Sequence, residues 1–215
     1  MTKKIIRYII VFASVILVGI GASFSVKANV GIGAWDAIAK SIADVISMEI
    51  GTMGMILNCS CVLGQLIIYR RKFRWIQLLQ IPLSIVLGMV INFFYYHLLT
   101  FTIDSYAIRM CMFVCAITVC AFGVAMVMLM DEITFALEGF CNAITSLVPI
   151  KFHVVRQLAD VFSIVGVFIV TFVFGVPLTV GVGTVVGMII FGPTLGFFMK
   201  VMKPVLKRMN ILSYE

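Results

Sequence analysis

Few side chains in this chain can do chemistry. Asp36, Glu138, Arg156 and Asp160, with the amide of Asn58, stand within or beside long apolar stretches. A charge at the middle of a bilayer costs on the order of 3 kcal/mol, so such groups pair with one another or face water. Asp36 follows the string Gly31-Ile32-Gly33-Ala34-Trp35. The glycines permit a sharp reversal, Trp35 suits a membrane interface, and an acid in a first helical turn complements the helix dipole. Asp36 therefore reads either as the cap of a turn or as an acid at the outer mouth of a central cavity. Arg156 and Asp160 are four apart, on one helix face. They form an intrahelical pair, or they stand beside Glu138 at an inner mouth. Asn58, Gln65, Gln80 and Asn92 either line a cavity or bond between helices.

Known catalytic signatures are missing from the sequence. It holds no GxSxG, no Walker string and no HExxH, and its two histidines, His97 and His153, fall near predicted helix ends. No enzyme and no cofactor is expected. The cysteines, Cys59, Cys61, Cys111, Cys115, Cys120 and Cys141, form no CxxC pair and no Cys/His cluster, so no metal site is expected. Cys111 and Cys115 share a helix face, a geometry open to metal binding or reaction, and read first as small hydrophobes.

The elements that must carry these groups follow from composition. Hydrophobic residues make up 63% of the 215 positions and charged residues 12%. A soluble surface needs about twice that share of charge. Crossing a hydrocarbon core takes about 20 apolar residues. Apolar segments run over 6–27, 53–69, 75–100, 106–130, 157–176 and 180–199. Backbone groups in lipid must satisfy one another, so all six are expected to be helices. Val26-Lys27-Ala28 resembles a signal-peptidase site, but the run before it is longer than a usual signal core, so it reads as a retained first span. In the last span, Gly183-x-x-x-Gly187 and Gly192-x-x-x-Gly196 predict close helix packing.

Basic residues set a direction. With the N-terminus inside, 13 Lys and Arg fall on the cytoplasmic side and 3 outside, which places both termini in the cytoplasm. The net charge of +7 then belongs to cytoplasmic loops and anionic lipid, and nucleic acid is not an expected partner. Residues 34–48 and 131–147 are amphipathic, with Asp36, Lys40 and Asp44 on the polar face of one and Asp131, Glu132, Glu138 and Asn142 on that of the other. Both read as interfacial helices or as re-entrant half-helices.

Displacing the chain by about 102 residues sets Asp36 on Glu138, Asn58 on Asp160 and Gly64 on Gly166. After a small gap, Leu87-Gly88-Met89 falls on Val186-Gly187-Met188. Three spans per half, an odd number, insert the second half upside down, an arrangement shared by many transporters. The fold class expected is an all-α polytopic bundle of six transmembrane helices. It is built from two inverted three-helix repeats, 1–100 and 101–215, each with a short amphipathic or re-entrant helix.

The Gly-x-Gly-x-Trp-Asp string, the ending Val180-Gly181-Val182-Gly183-Thr184-Val185-Val186-Gly187 with Gly192-Pro193, and the Arg156-x-x-x-Asp160 spacing resemble the YczE/YitT-like bacterial membrane proteins. That family's first string usually reads GxGPWD, and Ala34 stands here in place of its proline. A second GxGPxD string is expected later in the chain, and only Glu138 matches it. The resemblance implies a bacterial plasma-membrane protein with repeated halves. The function expected is a secondary transporter or exporter of a small polar or amphipathic molecule, with Asp36, Glu138, Arg156, Asp160 and Asn58 binding or gating. A membrane scaffold that binds a partner protein is the alternative. The bilayer, anionic lipid, a second copy of the chain and an unidentified small molecule are the expected partners.

Overall fold

The computed structural model describes residues 2–130, 133–209 and 211. Helices occupy Thr2–Ala28 (α1), Ala34–Val45 (α2), Ile50–Tyr69 (α3), Gln80–Asn92 (α4), Tyr106–Met130 (α5), Ala136–Thr145 (α6), Phe152–Phe174 (α7) and Val182–Arg208 (α8). A 3-10 turn over Trp75–Leu79 leads into α4, and a π-helical turn over Phe93–Leu98 leaves it. Six helical stretches are long and apolar enough to cross a membrane: Lys4–Ala28, Ile50–Lys72, Trp75–Leu98, Tyr106–Met130, Phe152–Phe174 and Val182–Arg208. The described residues contain no strand, and the chain is an all-α, multi-pass membrane bundle.

The helices α1 and α5 form the centre of the bundle. In lipid, apolar side chains gain little by leaving the solvent, so spans associate through close packing and interhelical hydrogen bonds. Glycine supplies the close packing. A Cβ at Gly21 would stand 2.6 Å from the Cys120 sulfur and 2.9 Å from the Ala116 carbonyl oxygen. A Cβ at Gly123 would stand 2.6 Å from Val18 Cγ2 and 3.0 Å from the Ser14 carbonyl oxygen. α4 flanks α1, α8 flanks α5, and α3 packs on α4. Pro82 sits in the first turn of α4, where its missing N–H costs little.

The two short helices lie inside the bundle. α2 packs on α3 and α7, and α6 packs on the same two spans. Ala34, Ala37, Ala39, Ser41 and Ala43 of α2 are buried, as are Ala136, Leu137, Gly139, Cys141 and Ala143 of α6. Their small size lets each helix press one face against the spans. Asp131 and Glu132 lie outside the described residues.

Spacing of 102 residues recurs in the architecture. Helices begin at Ala34 and Ala136, at Ile50 and Phe152, and at Gln80 and Val182, and they end at Ala28 and Met130. A side chain at Gly64 would meet the ring of Phe140, and one at Gly166 would stand 2.9 Å from Ile38 Cδ1. Ile38 and Phe140 are again 102 apart, as are Gly21 and Gly123, Val18 and Cys120, and Ser14 and Ala116. Gly88 and Gly187, aligned by sequence, face different neighbours: Gly88 abuts Gly51 and Met55 of α3, and Gly187 abuts Ile117 and Phe113 of α5.

Filling the central contact should cost more than filling an open one. Gly123→Val is expected to destabilise the fold by about 1–3 kcal/mol through overpacking. Gly192→Ala, at a position with nothing within 4 Å of its Cβ, should leave stability unchanged or slightly raised. Thermal unfolding of the two variants in detergent, monitored by intrinsic fluorescence, makes the comparison.

Candidate functional site

The first turns of α2 and α6 point their residues at the middle of neighbouring spans. Gly31 makes the first approach possible: its φ of 104° is left-handed, and a Cβ there would stand 2.6 Å from the Gly181 nitrogen. Gly33 has an ordinary φ of −54° and caps α2 without a side-chain bond. The stretch between α1 and α2 is held by the start of α8, where Gly183 N–H donates to the Val30 carbonyl (2.6 Å) and Thr184 Oγ1 to that of Ile32 (2.8 Å). Thr179 Oγ1 donates to the Ala37 carbonyl (3.0 Å) and exchanges a bond with Ser41 (2.9 Å). Trp35 turns toward α3. Its Nε1 donates to Asn58 Oδ1 at 3.2 Å, and Asn58 is the ninth residue of α3. That hydrogen bond fixes how deep α2 reaches.

The second half repeats the arrangement with charges. Asp160 is the ninth residue of α7, and Arg156 lies one turn before it. Arg156 pairs through Nη1 with Asp160 and through Nε with Glu138 Oε1 at 3.3 Å. Both readings of these residues hold together: the i,i+4 pair forms within α7, and the same guanidinium reaches the first turn of α6. All three side chains are about one-quarter exposed, so the ion pairs are partly desolvated. Asp36, in the first turn of α2, lies within electrostatic reach of Arg156, Asp160 and Glu138. Burial pushes its carboxyl up to about 6; Arg156 opposes that rise, and Asp160 and Glu138 add to it. The position 102 residues before Arg156 is Gly54, and nothing lies within 4 Å of where its Cβ would be. Glu138 thus has a guanidinium from the following span, and Asp36 has no such base from α3.

A cavity of about 450 Å³ opens among α2, α3, α6 and α7. Its walls include Trp35 and Leu137, Ile38 and Phe140, and Leu57 and Ala159. Each of these pairs is 102 residues apart. Ser163 is the one hydroxyl in a lining that is otherwise apolar, and the charged groups are not in it. These four and the Asn58 amide stand one position away in sequence: Asp36 beside Trp35, Asn58 beside Leu57, Glu138 beside Leu137, Arg156 beside Val155 and Asp160 beside Ala159. The volume falls within the range of about 300–1,000 Å³ that small-molecule sites occupy. The wall residues escaped sequence reasoning because Leu, Phe and Ala in a span carry no signal distinct from lipid-facing residues.

The amides have structural partners. Gln65 Nε2 donates to Gln80 Oε1 (2.8 Å) and to the Ala136 carbonyl (3.1 Å), tying α3 to α4 and to the start of α6. Asn92 Oδ1 accepts the Gly51 N–H at 2.7 Å. Gly183 and Gly187 meet neighbours closely; Gly192 and Gly196 face open space, so the second glycine pair closes no helix contact. Among the described residues no three His, Cys, Asp or Glu side chains are grouped to hold a metal.

The model of DUF6198, a family of unknown function, matches residues 5–200. Nothing in that match ties the chain to the YczE/YitT-like proteins. No curated protein and no solved structure matches.

Removing the guanidinium should leave two facing carboxylates with no counter-charge. Arg156→Met is expected to cost about 2–3 kcal/mol, since breaking a partly buried pair strands its partners. For a chain of this size that lowers the midpoint by roughly 5–10 °C. Adding Glu138→Gln and Asp160→Asn should recover most of the loss. Midpoints for the single and triple variants measure both effects.

Proposed function

The chain belongs to DUF6198, a family of unknown function, and we propose that it is a small secondary transporter or exporter built from two inverted halves of three spans each. The observation that carries this reading is the cavity, because matched positions of both halves wall it: Trp35 with Leu137, Ile38 with Phe140, Leu57 with Ala159. A site shared by two oppositely inserted halves is open to alternation between the two faces of a membrane. The recurring contacts of Gly21 with Cys120 and Gly123 with Val18, and of Gly64 with Phe140 and Gly166 with Ile38, support the same relation.

The nearly apolar lining favours an amphipathic cargo over a strongly polar one. Trp35, Phe140 and Leu137 would take its apolar body. Asp36, Glu138, Arg156 and Asp160 would act from behind the wall as a gating group, and the Trp35–Asn58 bond would set its depth. The excess of Lys and Arg on one side supports cytoplasmic termini in a bacterial plasma membrane, with the exposed Arg70, Arg71, Lys72 and Arg74 against anionic headgroups. A scaffold that binds a partner protein is the second reading.

Cells expressing the wild type, Asp36→Asn and Glu138→Gln can be compared by an untargeted screen of metabolite uptake and efflux. Transport predicts at least one amphipathic compound whose distribution changes with the wild type and reverts in both variants. A profile identical in all three strains would remove these residues from any transport role.

A further inference from the structure

The cavity is open along its side as well as at one end. Leu158 and Phe162 of α7 belong to its wall and are 44% and 72% exposed, and Ile150, in the loop before α7, is 42% exposed. Wall residues this exposed meet the bilayer as well as the cavity, so the space continues onto the lipid-facing surface beside α7. Its depth matches one leaflet. Ser163, the last wall residue on α7, stands near the middle of the span Phe152–Phe174. At 1.5 Å per residue it lies about 17 Å along the helix from Phe152, against roughly 30 Å for a whole hydrocarbon core.

The end of the bundle where α7 begins carries a basic rim. One buried cluster holds Leu137, Cys141 and Val155, which wall the cavity, together with Phe73, and Phe152 packs against it. Phe73 is buried between the exposed Lys72 and Arg74, with the exposed Arg70 and Arg71 just before them. Phe152 likewise stands between the exposed Lys151 and His153. The two phenylalanines therefore fasten the α3–α4 and α6–α7 connections to the back of the cavity wall, and they bring five Lys and Arg side chains to the same end of the bundle. Trp75, 77% exposed, sits edge-on to Phe73 at 6.4 Å and is of the type that settles at headgroup level. The acids nearest this end, Glu138 and Asp160, are already paired with Arg156.

From the side opening and the basic rim together, we infer that the cavity takes one acyl chain of an anionic phospholipid. The lipid enters sideways from the leaflet on the side of the α6–α7 loop and leaves its headgroup among Lys151, Arg70, Arg71, Lys72 and Arg74. Charge at mid-membrane is costly and an alkyl chain there is not, so the molecule divides at the rim, with its tail against the apolar wall and its phosphate outside. Basic side chains at a membrane surface hold anionic headgroups over neutral ones. A water-soluble amphiphile suits the same wall, but the exposure of Leu158 and Phe162 favours a molecule already in the bilayer. Binding rests on the wall and its rim; that the lipid is then moved rests on the transport reading.

Trp35 is in the wall, Trp75 is at the rim, and the chain has no third tryptophan. Trp75→Phe therefore makes the fluorescence of the full chain a reading of the cavity. That variant is reconstituted in phosphatidylcholine vesicles holding an equal minor fraction of mid-chain-brominated phosphatidylglycerol or mid-chain-brominated phosphatidylcholine. Bromine quenches an indole it touches, so a chain that enters the cavity dims Trp35. The anionic lipid is expected to quench several fold more strongly than the neutral one. Lys151→Glu with Arg74→Glu should make the two lipids equal, and Ala159→Phe, which fills the space, should weaken quenching by both. The rim variants alter exposed residues only and stand as the test on their own where the wall variant does not fold. Equal quenching by the two lipids with the rim intact overturns the inference. So does quenching unchanged by a folded Ala159→Phe variant, because Trp35 would then be reached from outside the cavity. The same vesicles with a headgroup-labelled phosphatidylglycerol report movement between leaflets through dithionite reduction. Selective quenching with no movement would count against the transport reading and leave the lipid site standing. Transport of a metabolite with Trp35 unquenched would do the reverse.

Discussion

Backbone hydrogen bonding in a low-dielectric core is the constraint on which the rest of this structure depends. A span satisfies its own N–H and C=O groups, but any break in a helix at that depth must find partners elsewhere in the protein. The chain breaks beside each short helix, and the partners come from the opposite half. Gly183 and Thr184 at the start of α8 serve Val30 and Ile32, and Thr179 serves Ala37. Gln65 of α3 serves Ala136 at the start of α6. These bonds hold α2 and α6 against α3 and α7, and the cavity lies where the two short helices leave the space between those spans unfilled.

The same placement explains the charges. Carboxylates in the first turns of α2 and α6 sit where helix dipoles favour them, and Arg156 neutralises part of what the dipoles cannot. Ionised together, Asp36, Glu138 and Asp160 outnumber the one guanidinium. Burial raises the Asp36 carboxyl to about 6 against the pull of Arg156, and the neighbouring Asp160 and Glu138 add to the rise.

Much of this was legible in the sequence, for definite reasons. Spans show because lipid demands unbroken apolar length. The 102-residue spacing shows because Asp36, Glu138, Asn58 and Asp160 are conspicuous in such surroundings. Helix bounds were less visible. The hydropathy of the fifth span fades at His153 and Arg156, yet α7 begins at Phe152 because Glu138 and Asp160 satisfy the guanidinium. α8 likewise runs through Lys200 and Lys203 to Arg208, since a helix need not end where apolarity does. The central glycines, Gly21 and Gly123, leave no mark in hydropathy, and only the approach of α1 to α5 reveals their use. Gly192 and Gly196 carry a packing pattern with no neighbour to receive it. An amphipathic stripe fits an interface or a bundle equally well, and the Trp35–Asn58 bond places α2 in the bundle.

The proposal of transport requires that the cavity walled by α2, α3, α6 and α7 be reached from one face of the membrane at a time. Ile144→Cys places a thiol on the wall nearest the α6–α7 loop, and a membrane-impermeant thiol reagent can be added to either side of oriented vesicles, with the wild type as baseline. Labelling above baseline from the side of the α6–α7 loop, and not from the opposite side, is the result this account predicts. Labelling from neither side would mean a closed apolar packing defect and would contradict it.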